Sequence, residues 1–223
     1  MKALIVVDIQ NDFCDGGSLA VKNASEIIPI TNKIIQFFNK NNLLIVGTKD
    51  WHPDNHKSFA INSGGEIGEV GLLNHLPQVW WPKHCVQNSF GAEFHPELLE
   101  IKNIIYKGTD PEIDSYSGFF DNGKSKKTEL FDILTKHNIT ELFILGLATD
   151  YCVKHTVLDA LDLKFKVSVI SDACKAVNLS PNDSTLALNE MKQKGAYIIQ
   201  SEDLIWSSFF LHFINFYFIY QKK

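Results

Sequence analysis

The segment ELFILGLATDYC, residues 141–152, constrains the fold of this chain more than any other feature. An apolar run ends at Gly146, small residues follow, and an amphipathic run with Val153 and Val157 comes next, which predicts a buried strand, a tight turn and a helix. Cys152 then lies in the first helical turn, where free N–H groups and the helix dipole favour a thiolate and lower the pKa of the thiol. The alternative is that Cys152 is a small buried hydrophobic side chain, the usual role of a free cysteine.

Short apolar runs alternate with helical patterns along the rest of the chain. The predicted strands are KALIVV (2–7), NLLIVG (42–47), NIIY (103–106), ELFILG (141–146), KVSVIS (166–171) and AYII (196–199). Helical patterns cover Ser25 to Lys40, Lys126 to His137 and Asp183 to Lys194. This alternation predicts an α/β fold with an open, mainly parallel six-stranded sheet and helices on both faces, in three α/β/α layers.

One section, residues 49–100, departs from the alternation, because it is rich in His, Trp, Pro and Gly and shows no regular pattern. A connection of that length inside a compact domain is usually functional. We therefore predict one domain over residues 1–203, with a loop insertion at about 49–100, and an aromatic-rich C-terminal extension at 204–223.

Composition and charge limit the class of protein. Of the 223 residues, 45% are hydrophobic and 21% charged, as in ordinary globular proteins, and the net charge of −5 argues against nucleic-acid binding. The N-terminal apolar run is too short for a signal peptide, and the cysteines show no paired spacing, which predicts a reducing cytoplasm. The cysteines are Cys14, Cys85, Cys152 and Cys174.

The C-terminal extension is the one compositional oddity. From Leu204 to Tyr220 it has no acid or base apart from His212. As a helix these residues would extend ~26 Å, slightly short of the ~30 Å hydrocarbon core of a bilayer. We expect the segment to pack on the domain or on a partner in a homo-oligomer, and membrane contact is not expected. A membrane-surface or tail anchor and a poorly ordered tail are the alternatives.

Three chemically active side chains follow predicted strands directly. Asp8 comes after the first strand, Lys107 after the third, and Cys152 just beyond the fourth. Because ligands sit at the carboxyl ends of parallel strands, we expect these residues in one crevice. The carboxylate can take the thiol proton and return it to a leaving amine, while the ammonium stabilises negative charge. Taken singly, Asp8 would be a turn residue and Lys107 a surface charge.

A metal site is predicted beside them. Asp50 and His52 are two apart in an extended segment, so their side chains project to the same side. With His84 they form a two-histidine, one-carboxylate set that suits Zn²⁺ or Fe²⁺ and also fits Mn²⁺, so the insertion at about 49–100 is predicted to bind a metal. Cys85 is a further candidate ligand but is more readily explained by packing. The other histidines are predicted to face solvent: His56, His75, His95, His137, His155 and His212.

Five motifs, in this order, resemble the nicotinamidases of the isochorismatase-like cysteine hydrolase superfamily. They are VVDIQNDFCDGGSLAV, TKDWHPDNHKSFA, WPKHCVQNSFGAEFHP, KGTDPEIDSYSGFFDN and GLATDYCVKHTVLDA. The resemblance runs from Lys2 to about Asp203. It leaves the extension unexplained, and Tyr151 occupies a position that varies in the family.

The resemblance implies a role for each matching residue. It implies a catalytic triad of Asp8, Lys107 and Cys152, and metal ligands Asp50, His52 and His84 with His56 and Ser58 completing the metal shell. It also implies an aromatic clamp of Phe13, Trp81 and Tyr116, an oxyanion hole from the N–H groups of Ala148 and Cys152, and a cis peptide between Leu147 and Ala148.

The reaction implied by the resemblance is metal-dependent hydrolysis of nicotinamide to nicotinate and ammonia through a thioester. Zinc is the expected metal, with iron or manganese as alternatives, and pyrazinamide is expected to be a second substrate. The competing hypotheses are an amidohydrolase of the same superfamily acting on a carbamoyl or ureido compound, and a non-catalytic metal-binding module. A third is a scaffold anchored to a membrane by the extension.

Overall fold

The computed structural model describes residues 1–204, and its dominant feature is the predicted parallel sheet. The strands, in chain order, are β1 (Lys2–Val7), β2 (Leu44–Asp50), β3 (Val70–Leu73), β4 (Leu76–Val79), β5 (Asn103–Lys107), β6 (Glu141–Leu147), β7 (Lys166–Lys175) and β8 (Tyr197–Ile199). Six of them form one sheet in the order β5-β2-β1-β6-β7-β8, and every neighbouring pair is parallel. The predicted fold class is confirmed.

Helices cover both faces of the sheet. They are α1 (Ile27–Lys40), α2 (Ala60–Ser63), α3 (Leu130–Lys136), α4 (Lys154–Asp162) and α5 (Asp183–Gln193). In α1 the residues Ile27, Ile34 and Phe38 are completely buried, which is the spacing of one apolar helix face packed on a sheet. The central strands β1 and β6 are consequently buried on both sides, and their carboxyl ends lie side by side at one edge of the sheet.

The boundaries of several elements differ from the predicted ones for local reasons. Asn42 has a φ of +51°, a left-handed conformation that delays the start of β2 until Leu44. Helix α3 begins only at Leu130, because the preceding residues pair back onto the chain, with Thr128 N–H donating to Phe119 O. β7 runs on to Lys175 by means of a register shift against β6.

The prediction that residues 49–100 lack regular structure is wrong. Strands β3 and β4 form an antiparallel hairpin there, and α2 precedes it. The two-residue turn consists of Asn74 and His75, both with positive φ (+49° and +65°), as a tight hairpin turn of this type requires. The pair Asn-His lacks the glycine that usually marks such turns, so the sequence gives only a weak hairpin signal.

Within residues 1–204 every helix is too short or too polar to cross a bilayer. The predicted C-terminal extension lies, from residue 205 onward, outside the described residues. The domain boundary at residue 203 therefore stays a prediction.

Candidate active site

The carboxyl edge of the main sheet brings together the three residues predicted as a nucleophilic group. Asp8 follows β1, Lys107 ends β5, and Cys152 lies in a π-helical turn, Thr149–Val153, between β6 and α4. Because the strands run parallel, their carboxyl ends meet at this edge. Lys107 Nζ lies 2.9 Å from Asp8 Oδ2 and 3.3 Å from Cys152 Sγ, so one ammonium contacts both other side chains.

Asp8 is fully buried, and its two carboxylate oxygens have different partners, a hydrogen bond at Oδ1 and an ion pair at Oδ2. Its φ of +48° turns the chain away from β1, and its N–H donates to Thr48 O at 3.2 Å. The Thr48 hydroxyl donates to Oδ1 at 2.6 Å, while Lys107 approaches Oδ2. Burial raises the pKa of the Asp8 carboxyl, and the Lys107 ammonium opposes that rise. A carboxylate whose pKa is raised in this way is a better proton acceptor for a thiol.

Lys107 Nζ is surrounded by acceptors. Besides Asp8 and Cys152, it contacts Asp50 Oδ1 and donates to Ser115 O at 2.9 Å. Burial alone would lower the pKa of this ammonium, but Asp50 and Asp8 raise it well above its ordinary value. The group therefore stays positively charged at neutral pH, between two carboxylates and a sulfur.

The pKa of the Cys152 thiol differs from the predicted one. Burial raises the pKa of the thiol well above its ordinary value, Lys107 opposes the rise, and the Asp8 carboxylate adds to it. The pKa of the thiol is therefore raised and not lowered as expected, because burial, Asp8 and Asp50 together outweigh the ammonium of Lys107. The resting side chain is a thiol.

The backbone before Cys152 has the predicted special geometry. The peptide between Leu147 and Ala148 is cis. Gly146 has a φ of +122°, and a Cβ at that position would lie 2.1 Å from Val7 O on the neighbouring strand, so only glycine fits. Ala148 and Cys152, whose N–H groups are the predicted oxyanion hole, line the same pocket.

Asp50, His52 and His84 converge as predicted from their spacing. One ligand atom from each lies within 4.8 Å of the others. His52 Nδ1 is bonded to Gly108 O (2.8 Å) and His84 Nδ1 to Pro82 O (2.7 Å), so each ring turns Nε2 toward Asp50 Oδ2, at 3.6 Å and 3.8 Å. The buried His52 Nε2 has no hydrogen-bond partner. An unsatisfied buried nitrogen beside a carboxylate and a second imidazole fits a divalent metal site.

His56 and Ser58 lie next to this group. His56 is fully buried, its Nδ1 is bonded to the Ser58 hydroxyl at 2.7 Å, and its Nε2 has no hydrogen-bond partner. Ligand atoms of His56, His52 and Asp114 form a second group within 4.8 Å. Ser58 therefore orients His56, and the His56 ring lies beside that of His52, with their ring centres 4.3 Å apart.

The prediction that the remaining histidines face solvent is correct only in part. His75 and His137 are exposed, and His212 lies outside the described residues. His95 and His155 are half-buried, and His56 is buried because it belongs to the cluster around His52.

Asp50 belongs to both groups of residues. Burial would raise the pKa of its carboxyl, but Lys107 and then His52 hold that pKa well below its usual range. Oδ1 contacts the Lys107 ammonium while Oδ2 faces the two histidine nitrogens. The nucleophilic group and the metal-ligand group are therefore parts of one site, joined by a single ionised carboxylate.

A pocket beside Cys152 is lined by the aromatic residues predicted as the ring clamp. Phe13, Trp81 and Tyr116 all line it. Trp81 Nε1 donates to the Tyr116 hydroxyl at 3.1 Å, and the Phe13 ring lies 5.4 Å from that of His84. The pocket thus has aromatic walls, and Cys152 and His84, the predicted nucleophile and one predicted metal ligand, both line it.

Some residues of this site were not predicted. Gln78, on β4, is buried and donates from Nε2 to Asp114 Oδ2 (2.9 Å) and to the Tyr116 hydroxyl (3.1 Å). Asp114 stands two residues before Tyr116 in the DSYSGF motif, which was the available signal. Gln78 has no such marker, because it lies in the hairpin that the sequence did not reveal. The pocket lining also includes Leu19, Tyr151 and Val177.

Comparisons with known proteins agree with this geometry. A family profile described as the isochorismatase domain matches residues 2–203. The chain is 49% identical over 204 residues to the nicotinamidase of Escherichia coli strain K12, an alignment that covers 91% of this chain and 96% of that protein.

Two solved structures are similar over nearly the whole domain. A nicotinamidase and pyrazinamidase from Acinetobacter baumanii is 44% identical, with a TM-score of 0.86, and the match covers 91% of this chain and 97% of that one. The pyrazinamidase of Pyrococcus horikoshii, solved in complex with zinc, is 44% identical with a TM-score of 0.75, covering 89% of this chain and 98% of that one.

Proposed function

The chain belongs to the isochorismatase family, and on that premise we propose that it is a metal-dependent nicotinamidase, which hydrolyses nicotinamide to nicotinate and ammonia. The observation that carries the proposal is the shared carboxylate of Asp50, which contacts Lys107 and also faces His52 and His84. A cysteine amidohydrolase and a metal-ligand set are thereby combined in one pocket. The nicotinamidases among the relatives support the same assignment.

In the first half-reaction the Cys152 thiol attacks the amide carbon. Its proton passes to Asp8, which lies next to Cys152 because both side chains contact the Lys107 ammonium. The carbonyl oxygen receives hydrogen bonds from the N–H groups of Ala148 and Cys152. When the tetrahedral intermediate collapses, the C–N bond breaks and Asp8 returns the proton to the leaving nitrogen. Ammonia departs, and a thioester remains on Cys152.

In the second half-reaction water replaces ammonia. Asp8 accepts a proton from the water, the oxygen attacks the thioester carbon, and the C–S bond breaks. The proton on Asp8 returns to the sulfur, so Cys152 is again a thiol, and the released nicotinic acid gives its carboxyl proton to solvent to become nicotinate. Lys107 stabilises the negative charge that passes between sulfur and carboxylate in both halves.

Recognition of the ring combines stacking and positioning. Phe13, Trp81 and Tyr116 would enclose an aromatic ring, and the two histidines and Asp50 would hold a divalent metal, for which we propose zinc, with iron and manganese as alternatives. A metal held there would act as a Lewis acid toward the ring nitrogen. His56, oriented by Ser58, would complete the surroundings of the metal. Pyrazinamide, which keeps that nitrogen, is expected to be a second substrate.

The alternatives are less well supported. An amidohydrolase acting on a carbamoyl or ureido compound needs the three nucleophilic residues but not a buried two-histidine, one-carboxylate set. A non-catalytic metal-binding module would not need Lys107 between Asp8 and Cys152. We also propose a cytoplasmic location, a prediction that rests on four free cysteines among the described residues.

Turnover of matched amides tests the proposed function. Zinc-loaded protein is expected to release ammonia from nicotinamide and pyrazinamide, while benzamide, which lacks the ring nitrogen, is hydrolysed at least about 100-fold less efficiently in kcat/KM. Chelation should abolish the activity and added zinc should restore it. Equal turnover of benzamide and nicotinamide, or activity confined to a carbamoyl compound such as an N-carbamoyl amino acid, would contradict the proposal.

A further inference from the structure

The side chain of Gln10 is completely buried and makes three hydrogen bonds to main-chain groups. Its Oε1 accepts from Asp50 N–H at 2.8 Å, and its Nε2 donates to Asp50 O at 2.8 Å and to Ala92 O at 2.8 Å. Both main-chain polar groups of Asp50 are thus satisfied by one amide. This pattern is the one that a neighbouring β-strand would provide.

The reason lies in the way β1 ends. The pairing of β1 with β2 stops at Val7 and Thr48, and Asp8 N–H donates to Thr48 O. Strand residues two apart direct their main-chain groups to the same neighbour, so Asp50 directs its own toward the side where β1 would continue. The left-handed conformation of Asp8 turns the chain away at that point. The Gln10 amide therefore makes the two hydrogen bonds to Asp50 that a longer β1 would have made.

Gln10 also connects the other parts of the site through its own main chain. Its N–H donates to Asp8 O at 2.8 Å, and its carbonyl accepts from Phe13 N–H at 3.1 Å. One residue therefore links the nucleophilic group, the metal-ligand group and the aromatic wall of the pocket.

We propose that Gln10 is a positioning residue that fixes Asp50 so that its two carboxylate oxygens serve Lys107 and the metal at the same time. The inference rests on the proposed function in taking Asp50, His52 and His84 as metal ligands. Gln10 itself touches neither metal nor substrate. Without its amide, two buried main-chain groups of Asp50 lose their partners, and the carboxylate loses the alignment that places Oδ2 3.6 Å from His52 Nε2.

The test compares zinc affinity in three full-length proteins: the wild type, Gln10→Met and Asn32→Leu. Met keeps the size of the side chain and removes all three hydrogen bonds. Asn32 is a matched control remote from the site, because its amide also bridges two main-chain groups, donating to Glu97 O (2.7 Å) and accepting from Leu99 N–H (2.9 Å). Zinc-loaded protein is titrated with a chromophoric chelator, and unfolding is followed separately.

We expect Gln10→Met to weaken zinc binding about 10- to 100-fold, the usual effect of removing a group that orients a metal ligand, and Asn32→Leu to leave it unchanged. Wild-type zinc affinity in Gln10→Met, or an equal loss in Asn32→Leu, would overturn the proposal. If Gln10→Met does not fold, Gln10→Asn decides in the same way, because its amide is one methylene too short to reach Asp50 and Ala92 together. Zinc binding is read without substrate, so this result is independent of whether nicotinamide is hydrolysed.

Discussion

Single residues determine the chemistry of the site by how their charges balance. Asp8, Asp50 and Lys107 are all buried, and the ammonium lies between two carboxylates. The pKa of Asp50 is held well below its usual range, whereas burial raises the pKa of Asp8. Two carboxyl groups on one lysine thus differ in the direction of their pKa shifts, which fits the roles we propose for them: Asp50 as an ionised metal ligand and Asp8 as the group that takes and returns a proton.

The stability of the protein is expected to depend on pH through His155, because burial lowers the pKa of this side chain. Burial, and next Lys154, lowers its pKa to about 4 from 6.5. The unfolded chain therefore binds a proton at higher pH than the folded one, and stability is lost as the pH falls from 6.5 toward 4. Between pH 7 and pH 5 this loss amounts to about 2 kcal/mol. In His155→Phe, which cannot titrate, urea unfolding should show about 2 kcal/mol less destabilisation over that interval.

The comparison of the two proteins at both pH values isolates His155, because every other titrating group is common to them. Equal losses of stability in the wild type and in His155→Phe would mean that the histidine is not held neutral in the folded state. His155 packs 5.3 Å from Tyr116, ring centre to ring centre, so the aromatic replacement keeps that contact.

Residues with distinctive chemistry could be predicted from the sequence, and those with positioning roles could not. Asp8, Lys107 and Cys152 each follow a recognisable strand, and the spacing of Asp50 and His52 indicates a metal. Gln10 acts on a residue forty positions away through an uncharged amide, so only the folded chain reveals its role.

At the scale of elements, the β3–β4 hairpin lies outside the main sheet and supports the pocket from behind, because its Gln78 bonds two residues of the pocket lining, Asp114 and Tyr116. Its outer face is exposed at Val70 and Leu72, while Gln78 points inward to Asp114 and Tyr116. The sequence did not predict it, because its strands are only four residues long and its turn lacks glycine.

Removing the Gln78 amide tests the role of the hairpin. In Gln78→Leu the Tyr116 hydroxyl and the Asp114 carboxylate lose a buried donor, which typically costs about 1–3 kcal/mol. Because these groups line the ring pocket, we expect the KM for nicotinamide to rise about tenfold, equivalent to about 1.4 kcal/mol, with a smaller change in kcat.

Leu72→Ser is the matched control for this experiment, since Leu72 lies on the same hairpin and is 69% exposed. Its KM should equal that of the wild type. An unchanged KM in Gln78→Leu, or the same rise in both variants, would show that the hairpin does not act through its inward-facing amide.

At the scale of the whole molecule, the fold was the most predictable part, because a parallel sheet buried on both faces leaves continuous apolar runs in the sequence. All six predicted strands exist, although β2 and β7 end later than expected. The register shift in β6 and the left-handed turn at Asp8 depend on neighbouring strands and leave no comparable trace.

The central claim is that one cysteine performs the chemistry at the edge of this sheet. The most direct test is ammonia release from nicotinamide by the zinc-loaded wild type, Cys152→Ala and Cys174→Ala. Cys174 is the control, since it is also a buried free cysteine but its Sγ is bonded to Ile170 O instead of to Lys107. We predict activity in the wild type and in Cys174→Ala, and a loss of more than about 1,000-fold in Cys152→Ala. Comparable ammonia release by Cys152→Ala, folded and metal-loaded, would contradict the account.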